Sequence, residues 1–143
     1  MKNEFIIEDD MLMKYVGNKK EVIIPEGVKD IFFEAFYGLN LITSVTIPGS
    51  INDITPFVFE KCENLKTIKL CEGVLSVNVG AFNECNNLET LYLPNSLKLI
   101  KRNAFSNCSS LKTIYFNGNQ EEWNLVNKED NWDTNTSYQI IFN

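Results

Sequence analysis

The chain has 143 residues, 44% of them hydrophobic and 22% charged, with 19 acidic against 13 basic side chains and a formal net charge of −6. That length suits one continuous core, and the acidic balance argues against non-specific nucleic-acid binding, which needs clustered Lys and Arg. Histidine is absent, which removes the commonest general base and the commonest metal ligand together.

The start, Met1-Lys2-Asn3-Glu4-Phe5, lacks the apolar stretch and small-residue cleavage site of a secretory signal. If Met1 is the natural start, the chain is expected to stay in the cytoplasm. No apolar run approaches the roughly 20 residues of a membrane span, so membrane insertion is not expected. Phe5 to Glu8 and Met11 to Val16 read as a two-stranded hairpin turning at Asp9-Asp10, with a further turn at Gly17-Asn18.

From Val22 onward the chain falls into rows of 23 residues. They read VIIPEGVKDIFFEAFYGLNLITS, VTIPGSINDITPFVFEKCENLKT, IKLCEGVLSVNVGAFNECNNLET and LYLPNSLKLIKRNAFSNCSSLKT, and a fifth opens at Ile114 with IYFNGN before breaking off. Val22, Val45, Ile68, Leu91 and Ile114 form one apolar column. Ile24, Ile47, Leu70, Leu93 and Phe116 form another two residues later, the pattern of a half-buried strand. Pro25, Pro48 and Pro94 end that strand, because proline donates nothing to a ladder. Gly27, Ser50, Gly73 and Ser96 supply turn residues. The pairs Ala35-Phe36, Val58-Phe59, Ala81-Phe82 and Ala104-Phe105 send one ring per coil to the centre, where the rings should stack. No coil closes its own core; stacking does, and the ends need caps.

Beyond Gly118 the pattern changes. Glu121 to Val126 is expected to form a short helix laying Trp123 and Leu125 over the open end of the last coil. Asn127 to Ser137 reads as a polar loop, and Tyr138 to Phe142 as an edge strand closing the sheet.

The phrase Ile-Pro-x-Ser followed by Ala-Phe-x-x-Cys-x-x-Leu resembles the BspA-type (Treponema-type) leucine-rich repeat family. The resemblance implies a repeat solenoid, a right-handed horseshoe-like coil with one short strand per repeat. It implies a single domain over 1–143, with an N-terminal hairpin cap at 1–21, repeats at 22–116, and a helix-plus-strand cap at 117–143. It also implies a bacterial interaction or surface protein; a fragment of such a protein would sit at the cell surface or be secreted. Cys71 departs from the proline column, and Phe57 stands where later rows have Gly80 and Asn103. Both should reshape a turn.

Little is left for chemistry. Cys62, Cys85 and Cys108 share one column with Leu39, so they read as small buried hydrophobes and not as a metal or disulfide set. Asn131, Asp133 and Asn135 have the alternate spacing of half a calcium loop but lack its glycine and distal glutamate; a solvated loop is the better reading. The sequons at Asn107 and Asn135 are expected by chance. No nucleophile–base pair or phosphate loop can be assembled, so neither catalysis nor a cofactor is expected.

Two surfaces remain as candidates for a protein partner. Strand alternation turns Ile23, Thr46, Lys69, Tyr92 and Tyr115 outward on the concave sheet. Lys69, Tyr92 and Tyr115 are candidate contact residues there, since tyrosines are rigid amphipathic anchors. The competing reading is an ordinary cross-strand aromatic pair. Phe33, Pro56 and Val79 make an apolar stripe on the opposite side, flanked by Phe32 and Phe57. Phe33 and Phe57 are candidates for a contact there, with weak self-association as its expected form, unless the hairpin covers them. The leading expectation is a protein-interaction scaffold; the alternative is an adhesion module for host matrix or glycans.

Overall fold

The computed structural model describes residues 3–143. Met1 and Lys2, which open the expected N-terminal cap, lie outside the described residues. Strands β1 (Phe5–Glu8) and β2 (Met11–Tyr15) form the expected antiparallel hairpin. Asp9 and Asp10 have φ of 48° and 62°, the paired left-handed conformation that a tight hairpin turn requires. The chain then turns at Gly17-Asn18 around the Tyr15 hydroxyl, which donates to the Lys19 carbonyl and accepts from the Lys19 N–H, both at 3.0 Å.

The rows become coils. Strands β3 (Glu21–Ile23), β5 (Ser44–Ile47), β7 (Thr67–Leu70), β9 (Thr90–Leu93) and β11 (Thr113–Phe116) run parallel in one sheet. Val22 faces Val45, Val45 faces Ile68, Ile68 faces Leu91 and Leu91 faces Ile114, so the sequence columns are the register. A two-residue strand crosses each coil as well: β4 (Asp30–Ile31), β6 (Asp53–Ile54), β8 (Ser76–Val77) and β10 (Leu99–Ile100). Strand β4 pairs with β2, which joins the hairpin to the first coil, while β6, β8 and β10 share a separate sheet.

Aromatic rings fill the centre as a spine. Phe36, Phe59, Phe82 and Phe105 follow one another at 4.9, 5.1 and 5.2 Å. Tyr15 of the hairpin stacks on Phe36 at 5.9 Å, and Trp132 closes the other end edge-on to Phe105 at 6.2 Å. Both caps therefore enter the column that the repeats define.

Opposite the six-stranded sheet each coil turns through residues at positive φ. One such column is Phe57, Gly80 and Asn103; the other is Gly38, Lys61, Glu84 and Asn107. This geometry aims backbone amides at the next coil: Phe57 donates to Val79 at 3.1 Å, Gly80 to Arg102 at 3.3 Å, and Glu84 to Ser106 at 3.0 Å. Stacked coils thus satisfy backbone groups that a lone coil would leave open.

The fifth row does not break off. It is a complete coil with a helix inserted, α1 (Gln120–Leu125), opened by a reciprocal Asn119–Glu122 capping box. The segment read as a loop contains strand β12 (Asn127–Lys128), which pairs with β10, and the buried Trp132. Strand β13 (Gln139–Phe142) then adds the sixth strand beside β11, as expected at the sheet edge. Trp123 is buried against Phe116 at 5.1 Å. Leu125 is 82% exposed, contrary to the sequence reading, and Val126 is the buried neighbour instead. The six-residue helix has room to turn one side inward, and Trp123 takes it.

The departure from proline at Cys71 has a local reason. Where proline cannot donate, the Cys71 N–H gives a bond to the Ile47 carbonyl at 3.0 Å, and Asn117 repeats this to Leu93 at 3.0 Å. Gly27 and Gly73, both at positive φ, donate to Ser50 and Ser96 of the following coils. The turn chemistry thus alternates between neighbouring coils.

Candidate functional site

The cysteine column is part of the core. Cys62, Cys85 and Cys108 are free and fully buried, and each thiol donates to a backbone carbonyl of the preceding coil, Phe36, Phe59 and Phe82, at 3.1 to 3.3 Å. Burial pushes the Cys62 and Cys108 thiols up to about 12. Cys85 is held well above its ordinary value by burial first and by its two neighbouring thiols second. A thiolate, the nucleophilic and metal-binding form, is strongly disfavoured here.

The calcium-like run has a conformational explanation. Asn131 and Asn135 have φ of 63° and 62°, and they carry the two left-handed columns into the fifth coil. Asn135 Nδ2 donates to Asn107 Oδ1 at 2.7 Å, and Asn107 Nδ2 donates to Asn83 Oδ1 at 3.2 Å, so these amides form a ladder along the coils. Among the described residues no group of three His, Cys, Asp or Glu side chains is placed to hold a metal.

The outer face of the six-stranded sheet brings the first candidate set together. Tyr92 faces Lys69 on one side and Tyr115 on the other. The two tyrosine rings stack at 4.9 Å and 10°. Tyr92 is 40% exposed, Lys69 is exposed and Tyr115 half-buried. With Cys71, Glu72 and Asn117 they line an open groove of about 400 Å³. Glu72 is fixed there, accepting from the Asn95 and Ser96 amides at 2.7 and 3.1 Å and from the Asn117 side chain at 3.2 Å. The stack fixes both rings before any partner arrives, which lowers the ordering cost of binding.

The second set also converges, on the other side of the coil. Phe33 and Phe57 are 47% and 43% exposed, so the hairpin does not cover them. Phe33 packs on Phe32 at 4.9 Å. Phe57 and Phe33 line an open cleft of about 460 Å³ together with Tyr37, Glu34 and Glu60. Phe57 holds φ of 60°, a conformation that costs a bulky side chain about 1–2 kcal/mol. Its ring lies over Gly80, where an added Cβ would stand 2.4 Å from it. Tyr37, Glu34 and Glu60 join the site without standing out in the repeat pattern. Tyr37 and Glu34 follow Phe33 closely, but Glu60 belongs to the next row.

Lys128 is the other unforeseen residue. It faces Ile100 in the pairing of β12 with β10, and its ammonium group donates to the Trp123 and Val126 carbonyls at 2.9 and 2.8 Å. It also stands 4.3 Å over the Trp123 ring, with its pKa lowered by burial. A lysine thus ends a column that is apolar in every earlier coil, a suitable terminus for an exposed sheet edge.

A solenoid of parallel strands with a 23-residue period, a phenylalanine spine and capped ends is a leucine-rich repeat protein. Residues 6–125 match six copies of the BspA type leucine rich repeat region, and the chain belongs to that family. Among solved structures it is similar to a leucine-rich repeat protein of T. pallidum, with a TM-score of 0.68 and 28% identity over 78% of this chain and 56% of the other. A leucine-rich repeat protein of Bacteroides capillosus aligns with a TM-score of 0.65 and 28% identity over 80% of this chain and 93% of the other. A leucine rich cell surface protein of Faecalibacterium prausnitzii aligns with a TM-score of 0.59 and 29% identity over 82% of this chain and 38% of the other. The chain therefore spans about half or less of two of these relatives. No curated protein matches it by sequence.

Proposed function

We propose that the chain is a non-catalytic scaffold that binds a protein partner on the outer face of the six-stranded sheet, around Lys69, Tyr92 and Tyr115. The observation that carries this reading is the tyrosine stack, in which the exposed Tyr92 lies ring on ring with the half-buried Tyr115 beside a groove. Interfaces favour such anchors because they bury large area while losing little side-chain freedom. The repeat fold supports an interaction role in general, and the protonated thiols and absent histidine leave no evident nucleophile with a base. Among the described residues no helix is long and apolar enough to cross a membrane.

The test is capture of a partner by the intact chain, then titration of that purified partner against Tyr92→Ser, Tyr115→Ser and Lys69→Ser. Truncating a central aromatic anchor costs about 2 kcal/mol or more, roughly a 30-fold loss of affinity. Unchanged affinity in both tyrosine variants would show that the pair only stabilises the sheet. An adhesion role toward host matrix or glycans is the second reading, favoured by the similarity to the F. prausnitzii cell surface protein. Binding to immobilised matrix proteins or glycans that fails with the same variants would select it.

A further inference from the structure

The cleft on the far side of the coil has a composition of its own. Three aromatic rings, Phe33, Tyr37 and Phe57, line it with two carboxylates, Glu34 and Glu60. The two carboxylates are the only charged groups in the lining, and an aromatic ring presents negative potential from its face. The adjacent basic side chain, Lys61, is turned toward Glu84 of the next coil, 3.9 Å away.

The walls are also held in place. Phe33 is braced by Phe32, and the Phe57 ring rests over the bare Cα of Gly80. Glu60 Oε2 accepts from Asn83 Nδ2 at 3.3 Å. Three large side chains between 43% and 47% exposed in one cleft are more apolar surface than scattered exposure accounts for. Phe57 occupies a left-handed position that its neighbours in the column fill with Gly80 and Asn103, so the ring is kept where local conformation favours other residues.

We propose that this cleft captures a guanidinium or ammonium group carried on a basic segment of a partner protein. The cation would sit over the ring faces within about 6 Å, as such pairs require, with Glu34 and Glu60 balancing its charge. A second copy of this chain suits the cleft poorly. A two-fold contact places the same patch of each copy against the other, bringing four carboxylates together between chains of net charge −6. The site is separate from the sheet face and stands or falls without it.

The test is an amide NMR titration of the full chain with the peptide Ac-Gly-Ser-Arg-Gly-Ser-NH2, its citrulline analogue, which keeps the shape and loses the charge, and tetramethylammonium. The expected result is shifts centred on residues 33–37 and 57–60, with an arginine-peptide dissociation constant of about 1 mM and about tenfold weaker citrulline binding. Phe57→Asn copies the residue at Asn103, so it keeps the fold while weakening the arginine peptide about fivefold or more. Glu34→Gln with Glu60→Gln weakens it and flattens its salt dependence, and Tyr92→Ser leaves it unchanged. Equal binding of the citrulline peptide, or no shifts at these residues, would overturn the proposal. Tetramethylammonium binding more tightly than the peptide would reassign the cleft to small cations. A dimer in light scattering that Phe57→Asn dissolves would reassign it to a second copy.

Discussion

The fourth and fifth coils meet the same structural requirements with almost no shared sequence. In the fourth, a strand, a proline turn, a second strand and a central phenylalanine follow at the repeat spacing. In the fifth, helix α1 replaces the turn, and the offset from the previous coil grows from 23 residues to 28 at the second strand and at Asn135. Yet Trp132 takes the place of the phenylalanine, Asn131 and Asn135 take the left-handed positions, and β13 completes the sheet. A coil is therefore specified by a few requirements: a ring at the centre, two residues tolerant of positive φ, and strands to continue the ladders. Residue identity matters only as far as it meets them.

The largest expected effect is an alkaline loss of stability centred on the thiol-bearing coils, to which the fifth adds Tyr138, whose hydroxyl is pushed up by burial and then by Asp133. The buried thiols lie in the second to fourth coils, and the fifth has no cysteine. Their folded pKa values exceed the unfolded value of 9.0, so the folded state holds its protons more tightly than the unfolded chain. Stability from this source is intact below pH 9 and is lost as pH rises toward 12, by an amount on the order of several kcal/mol for the column. Replacing Cys62, Cys85 and Cys108 with Ala should flatten the alkaline limb of a denaturation-versus-pH curve. A limb unaltered by that replacement would mean the thiols titrate normally.

Phe82→Ala, in the middle of the spine, should cost about 3–5 kcal/mol in urea unfolding. Trp132→Ala should cost less globally and act locally, raising hydrogen exchange in residues 114–142 while the earlier coils stay protected. Equal exchange throughout in both variants would show that cap and repeat are one cooperative unit. Gly49→Ala comes next, at about 2–3 kcal/mol, because the new Cβ would stand 1.8 Å from the Glu72 carbonyl oxygen. Gly27→Ala has open space around it but φ of 93°, so it should cost only about 1 kcal/mol. The smallest effect belongs to the fifth coil: Asn131→Ala should lose about 1 kcal/mol and Asn131→Gly almost nothing, measured by thermal unfolding. A larger loss in the glycine variant would mean that the Asn131 side chain, and not its backbone conformation, is what the coil needs.

Sequence by itself determined the period, the register of the main sheet, the spine from Phe36 to Phe105, the hairpin turn at Asp9-Asp10 and the closing strand. Each of these depends on residue type recurring at fixed spacing or on a local turn preference, and both are visible along a single chain. The stacked Tyr92 and Tyr115 follow from the same register. The fifth coil was hidden because a helix shifts its spacing, and because asparagine at positive φ resembles asparagine in a polar loop. Which of Leu125 and Val126 turns inward depended on how six helical residues dock, and periodicity is silent over one and a half turns. The cleft was half legible: Phe33 and Phe57 stood out as unexplained aromatics, but Glu60 joins Glu34 and Tyr37 only when coils stack. Columns come from the repeat, whereas a site made of different columns in neighbouring coils exists only once the solenoid has closed.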